Sequence, residues 1–346
     1  MISVTVFLLS LLVALVSMPL VRKLAVKFGV LDLPGGRKIH KEATPLMGGV
    51  AVYLGILISL AAAAPHRQFS ELAPILVGAT LILFLGLVED TRGLSAQVRF
   101  IVQVLVAILM METGARISFL PNTLWGNAIE VTLTLLWIVG LINSFNYLDG
   151  MDGLAAGSAA INLFFFSVIL YTTSQYHLSL FAISLMGACL GFLPYNFRKE
   201  NKIFLGESGS TLLGFSLACL GLEGEWARDN LVRVFIPILI LGVPIFDMIF
   251  TTIMRVKEGK VRTIVEWLRY GGKDHFHHYL VDVGLKPGGA VVFIYFITIS
   301  LGIGAVMVSN DTFIEGLLTL YQAAIIFVVI ATLMVVGKRR RSGWGK

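Results

Sequence analysis

Charge is what this sequence has least of. Of its 346 residues, 14% are charged and 57% hydrophobic, whereas a soluble domain carries about 25% charged residues. That balance excludes a soluble enzyme and reads as a polytopic membrane protein. Cysteine is nearly absent too. Cys189 and Cys219 both fall in apolar runs, which makes neither a disulfide framework nor a zinc site. The chain has no G-x-x-x-x-G-K-[ST] phosphate loop and no H-E-x-x-H helix. No soluble domain, long linker, low-complexity segment or convincing repeat interrupts the apolar runs. Residues 1–20 lack the positive n-region of a signal peptide and are followed at once by Arg22 and Lys23. An uncleaved first helix is therefore expected.

What is present is apolar length. A membrane span needs about 20 mostly apolar residues. About eleven such runs can be marked: 2–21, 47–64, 73–88, 100–115, 127–145, 158–173, 178–195, 210–223, 232–254, 288–308 and 313–337. The expected fold is an all-α integral membrane protein with about eleven transmembrane helices. Alternating the loops places 23 of the 27 Lys and Arg residues on one side and leaves Arg67, Arg116, Arg228 and Arg233 on the other. The positive-inside rule then predicts an external N-terminus and a cytoplasmic C-terminus. It also accounts for the pI near 9.3 without any nucleic acid. The C-terminal Lys338-Arg339-Arg340-Arg341 reads as a topology anchor.

Against this background the ionisable residues stand out. Asn143-Ser144-Phe145-Asn146-Tyr147-Leu148-Asp149-Gly150-Met151-Asp152-Gly153 lies between two apolar runs. If it is helical, Asn146, Asp149 and Asp152 share one face. Carboxylates at such a depth usually line a water-filled cavity or a substrate site, the alternative being a helix cap with close-packed glycines. The first predicted cytoplasmic loop, from Leu33 through Arg37, Lys38, His40 and Lys41 to Gly49, suits an anionic ligand or is a plain positive-inside loop. Glu89-Asp90 ends the third run and can bind a divalent cation or take a proton, or is a solvated helix end. In Gly206-Glu207-Ser208-Gly209-Ser210-Thr211 the hydroxyl residues would cap a new helix whose amides attract anions, with Glu207 a candidate metal ligand. Asp247 is a lone carboxylate within the ninth run, which favours a functional role. Three of the six histidines, His275, His277 and His278, fall within four residues of one predicted cytoplasmic loop and suggest phosphate contacts or proton transfer.

Carboxylates, bases and imidazoles thus gather on one predicted face, the loops about 22–47, 89–99, 143–157, 196–209 and 255–287. Carboxylates that meet an anionic substrate need a cation between them, and Mg²⁺ is the usual one for pyrophosphates. The residues alone imply a membrane enzyme acting on a phosphorylated substrate. A secondary transporter is the rival, but it predicts inverted repeats and charges near mid-bilayer. A non-catalytic scaffold is the other.

Taken in order, these motifs resemble the polyprenyl-phosphate N-acetylhexosamine-1-phosphate transferases (glycosyltransferase family 4), in the WecA/TagO-like branch related to MraY. The resemblance implies a single integral-membrane transferase domain over 1–346 in the bacterial cytoplasmic membrane. Its active site would face the cytoplasm. The implied reaction moves sugar 1-phosphate from UDP-GlcNAc to undecaprenyl phosphate and releases UMP. Another UDP-HexNAc or UDP-MurNAc-pentapeptide remains the alternative donor; His-Phe-His-His running into Tyr279-Leu280 favours UDP-GlcNAc. By motif position, Glu89, Asp90, Asp149, Asp152, His275, His277 and His278 would be catalytic. Lys38, His40, Asn146, Asp149, Lys202 and Asp247 would bind substrate. Glu207, Asn146 and Asp149 would hold Mg²⁺, with Mn²⁺ as an alternative. A homodimer fits the resemblance, although no residue pattern requires one. Two departures matter: the family's Asp-Asp pair is Glu89-Asp90 here, and its G-D-x-G-S is Gly206-Glu207-Ser208-Gly209-Ser210. The extra methylene is expected to shift a metal or hold it through water, since magnesium demands tight octahedral geometry.

Overall fold

The structure, a computed structural model, describes residues 1–33, 43–227, 230–263, 266–267, 270, 272, 274–309 and 313–343. Lys38 and His40, both expected to bind substrate, lie outside the described residues. Two compact units are present, Met1–Glu225 and Trp226–Lys346.

The first unit contains α1 (Ile2–Lys27), α2 (Gly48–Ala63), α3 (His66–Glu71), α4 (Ala73–Arg92), α5 (Ala96–Glu112), α6 (Leu124–Leu148), α7 (Leu154–Thr172), α8 (Tyr176–Asn196) and α9 (Gly206–Glu223). Apolar runs become helices in a bilayer because nothing else there satisfies the backbone N–H and C=O groups. Local chemistry sets the ends. Ser95 opens α5 by accepting from Val98 N at 3.3 Å, and Thr123 opens α6 by accepting from Gly126 N at 3.0 Å. Between α1 and α2 a two-residue antiparallel ribbon pairs β1 (Leu31–Asp32) with β2 (Thr44–Pro45), in register Leu31 to Pro45. The sequence reading did not foresee this ribbon.

Helix α9 is the centre of this unit. It packs against α2, α4, α6 and α7, and Gly206 and every residue from Ser208 to Gly221 are buried. A helix buried on all sides needs no lipid-facing stripe, so α9 can be rich in Gly, Ser and Thr. The approach is close: a Cβ added to Gly49 of α2 would fall 2.3 Å from Cα of Gly209. The segment before α9 is pinned as well. Phe204 N donates to Pro45 O at 2.8 Å, and the N–H groups of Gly48 and Gly49 donate to the carbonyls of Phe204 and Leu205 at 3.0 and 2.9 Å.

The second unit contains α10 (Asn230–Ile240), α11 (Gly242–Lys257), α12 (Phe276–Val283), α13 (Pro287–Val308) and α14 (Phe313–Gly343). Phe246 stacks on Phe327 with ring centroids 4.4 Å apart and meets Phe276 edge-on at 5.3 Å. The run 232–254 is not one straight helix, because α10 and α11 meet at 79°. Pro244 has no N–H to give Ile240 O, and Pro237 lies in the preceding helix, which breaks the ladder there.

Each of the eleven apolar runs coincides with a helix or, for 232–254, with this bent pair. Among the described residues seven helices are long and apolar enough to cross a membrane, or eight with the bent pair as one span. The protein is all-α and polytopic.

Candidate active site

The 143–153 stretch does not continue as a helix. Helix α6 stops at Leu148, Asp149 is its C-terminal cap residue, and Gly153 with φ +77° starts α7. Asn146, Asp149 and Asp152 therefore do not share one helical face. Asp152 is exposed and its Oδ2 lies 2.6 Å from Lys202 Nζ. The pair is held from behind: Asn196 Oδ1 accepts from Gly153 N at 2.6 Å, and Asn196 Nδ2 donates to Ile203 O at 3.2 Å. Arg22 Nε donates to Lys202 O at 3.4 Å, so α1 reaches the same end of the unit.

Asp149 is partly accessible at its rim, yet protein crowds it. Desolvation, followed by the like charges of Glu207, Asp90 and Asp152, pushes its carboxyl well above the ordinary carboxylate range. The C-terminal end of α6 adds negative potential of its own. Glu207 enters from the first turn of α9, where Asn146 hydrogen-bonds its carboxylate. Asn146 Nδ2 also donates to Ser210 Oγ at 3.1 Å.

Asp90 is placed differently from the sequence expectation. Its two oxygens accept from Glu207 N at 2.9 Å and Ser208 N at 3.1 Å. The anion held by the α9 amides is thus a carboxylate of the protein itself, supplied by the end of α4. Gly206 makes this possible: its φ is +78°, and a Cβ there would meet Asp90 Oδ2 at 2.6 Å. The cap expected from Ser208 and Ser210 is not formed; Ser210 Oγ instead donates back to Gly206 O at 3.0 Å. Glu89 accepts from Leu94 N and lies 3.5 Å from Arg99 Nη1, and the same nitrogen is 3.3 Å from Glu207 Oε2. Arg99, near the start of α5, was not among the residues picked out by sequence reasoning. Its nine-residue offset from Asp90 carries no motif of its own.

Metal-binding capacity follows from this geometry. No group of three His, Cys, Asp or Glu side chains placed to hold a metal occurs among the described residues. Magnesium, however, commonly takes one or two carboxylates and keeps several waters. Asp149 with Glu207 and the Asn146 amide fit that pattern, and a divalent cation there would relieve the like-charge crowding of Asp149.

The remaining predicted residues form a constellation in the second unit. Arg255 Nε and Nη2 donate to the two oxygens of Asp274 at 2.9 and 2.8 Å. Burial works against the Asp274 charge, but the Arg255 bonds outweigh it and hold this carboxyl below its usual range. Arg255 Nη2 also meets His275 Nε2 at 3.1 Å, and His275 Nδ1 meets Asp247 Oδ2 at 3.0 Å. Arginine has no acceptor, so His275 accepts through Nε2 and donates through Nδ1. Asp247 takes Phe276 N as well, at 2.6 Å. Both His275 nitrogens and the Asp247 carboxylate are therefore engaged in holding this loop. His277 is different: neither ring nitrogen has a hydrogen-bond partner among the described residues. Burial, with the charge of His278 next, pulls its pKa down to about 3.

The sequence model of Glycosyl transferase family 4 matches residues 72–225. The probable undecaprenyl-phosphate N-acetylglucosaminyl 1-phosphate transferase of Bacillus subtilis strain 168 is 35% identical over 95% of this chain and 91% of its own length. The chain belongs to glycosyl transferase family 4. A Mycolicibacterium smegmatis relative, decaprenyl-phosphate N-acetylglucosaminephosphotransferase, is 31% identical over 93% of this chain and 86% of its own. The undecaprenyl-phosphate alpha-N-acetylglucosaminyl 1-phosphate transferase of Escherichia coli K12 is 28% identical over 79% and 75%. The family match spans Glu89, Asp90, Asn146, Asp149, Asp152, Lys202 and Glu207, all in the first unit.

Proposed function

We propose that this family member transfers N-acetylglucosamine 1-phosphate from UDP-GlcNAc to undecaprenyl phosphate, yielding the lipid-linked pyrophosphoryl sugar and UMP. The observation that carries it is the near full-length similarity to transferases named for that reaction. A carboxylate cluster at one end of the first unit supports it. In the reaction an oxygen of the lipid phosphate attacks the sugar-bearing phosphorus and the bond to UMP breaks. Such a transfer is mostly positioning and charge neutralisation.

Asp149 and Glu207, with Asn146, are the residues proposed to hold Mg²⁺. When bound, the cation would neutralise developing charge on the pyrophosphate. Lys202 is paired with Asp152, whose charge acts on Asp149, and is proposed to meet a substrate phosphate. Asp90 holds the α9 terminus in place. A base at this position is dispensable, because a phosphate monoester is already ionised near neutral pH. His277, with no partner for either nitrogen among the described residues, is the imidazole proposed to contact phosphate, while Asp247, Arg255 and Asp274 hold His275. The proposed topology has eleven spans, an external N-terminus and a cytoplasmic C-terminus, with the carboxylate cluster facing the cytoplasm. It rests on the 23-to-4 split of Lys and Arg between the two sides.

The test is UMP release by purified protein in detergent with UDP-GlcNAc, undecaprenyl phosphate and Mg²⁺, omitting each in turn. Release that requires all three is expected. Turnover only with a different UDP-sugar would overturn the donor assignment, and no release with any donor or divalent metal would overturn the transferase reading.

A further inference from the structure

The two positions where this chain carries glutamate in place of the family pattern's aspartate meet one guanidinium. Arg99 Nη1 lies 3.5 Å from Glu89 Oε1 and 3.3 Å from Glu207 Oε2. Arg99 is on α5, Glu89 on α4 and Glu207 on α9, so the contact ties three helix ends together. Glu207 is held from two directions, by Arg99 through Oε2 and by the Asn146 amide. Its backbone N–H is fixed at the same time by Asp90. A carboxylate on a three-bond stem is mobile unless something restrains its far end, and restraint of that kind is what tunes a metal ligand.

We propose that Arg99 is a positioning residue for the divalent-cation site. It draws back one oxygen of Glu207 so that the carboxylate is presented beside Asn146 and Asp149, and the added methylene of glutamate is what makes the reach to Arg99. The inference rests on the metal assignment above and deepens it. Glu89 anchors the other side of Arg99, so the guanidinium is itself held, and the apparent departures at 89 and 207 form one coupled unit.

Charge alone predicts the opposite sign, which makes the inference testable. Removing a cation from a carboxylate cluster should, by Coulomb's law, tighten divalent-cation binding. If Arg99 acts by position, removing it weakens binding. The measurement is Mn²⁺ binding to the full-length protein in detergent, followed by the loss of the free-ion electron paramagnetic resonance signal, with no substrate present. Arg99→Gln is expected to raise the Mn²⁺ Kd by about tenfold. Arg99→Lys, which keeps the charge, is expected to recover most of that loss. Glu207→Asp should weaken binding by a similar factor, since the shorter stem no longer reaches Arg99. Adding Arg99→Gln to Glu207→Asp should then change little, because the pair acts as one unit. In turnover, the Mg²⁺ concentration for half-maximal rate should rise in Arg99→Gln while KM for the lipid acceptor stays near the wild-type value.

Tighter Mn²⁺ binding by Arg99→Gln would overturn the inference in favour of simple charge competition. Additive losses in the double variant would show that Arg99 does not act through Glu207, and absence of Mn²⁺ binding by the wild-type protein would overturn it outright. Each variant is read only from monodisperse protein, and if Arg99→Gln does not fold, Glu207→Asp supplies the answer: weaker Mn²⁺ binding upholds positioning and tighter binding overturns it. If the wild-type binds Mn²⁺ but releases no UMP with any donor, the transferase reading fails while this cycle still stands.

Discussion

Gly206 and Asp90 depend on each other, and neither is explained by its own stretch of sequence. A left-handed backbone costs a non-glycine residue roughly 1–2 kcal/mol, and in Gly206→Ala the new methyl would also displace the Asp90 carboxylate. This variant is expected to lose at least that much stability in a detergent unfolding assay. Asp90→Ala, which strips the α9 amides of their acceptor, is expected to cost about 1–2 kcal/mol. Because the two residues touch, the double variant should lose less than the sum, and strict additivity would refute the contact. The residue types at the site were legible in the sequence: the acidic pair, the aspartates before α7 and the Gly-Glu-Ser-Gly-Ser run were all visible as unusual for a membrane span. Their partners were not. Asp90 and the amide it holds are 117 residues apart, a separation over which no periodicity or spacing carries information. Asp90 was read as a cation ligand, a proton acceptor or a solvated helix end, and the two α9 amides it accepts from were not foreseen.

At the level of elements, apolar length marked the long helices well, because a bilayer leaves the backbone few choices, and missed the short helices α3 and α12. It failed where a helix bends. The apolar runs did separate α6 from α7, and only the conditional reading of Asn146, Asp149 and Asp152 as one helical face fails, because their three-residue spacing imitates such a face across the break. The bend at Leu241 was hidden because prolines in transmembrane helices are common enough to pass unremarked. In the second unit the loop 274–276 is tied to α11 by Arg255 and Asp274, both buried. Breaking one side of a buried pair leaves an uncompensated charge and typically costs 3–5 kcal/mol. Asp274→Asn should approach that loss in thermal unfolding. Arg255→Met combined with Asp274→Asn should be milder than either alone, because no buried charge is left behind. A double variant worse than both singles would show that the pair's own attraction dominates.

For the whole molecule, His277 predicts how stability follows pH. Its folded pKa, near 3, is below the roughly 6.5 of an unfolded histidine. Between those values the unfolded chain binds a proton that the folded chain does not, so stability rises with pH across that window and is fully present above about 6.5. On acidification from pH 7 to 5, the full chain should lose up to about 1.4 kcal/mol per pH unit once below the unfolded pKa. His277→Phe should flatten the slope in that interval, and an unchanged slope would mean that another group sets it. Asp274 acts lower on the scale: its depressed carboxyl adds stability above the ordinary carboxylate range, lost as pH falls through its folded pKa.

Helix α9 has a history written into its surroundings. It carries Glu207, several serines and glycines, and Glu223, and it is not among the helices apolar enough to cross a bilayer unaided. The helices that enclose it, α2, α4, α6 and α7, all precede it in the chain. During synthesis the segments that form its seat are therefore made before it, and its polar side chains favour docking against protein over exposure to lipid. The segment that brings Glu207 to Asn146 and Asp149 is thus the last of its unit to arrive, and its arrival completes the carboxylate cluster.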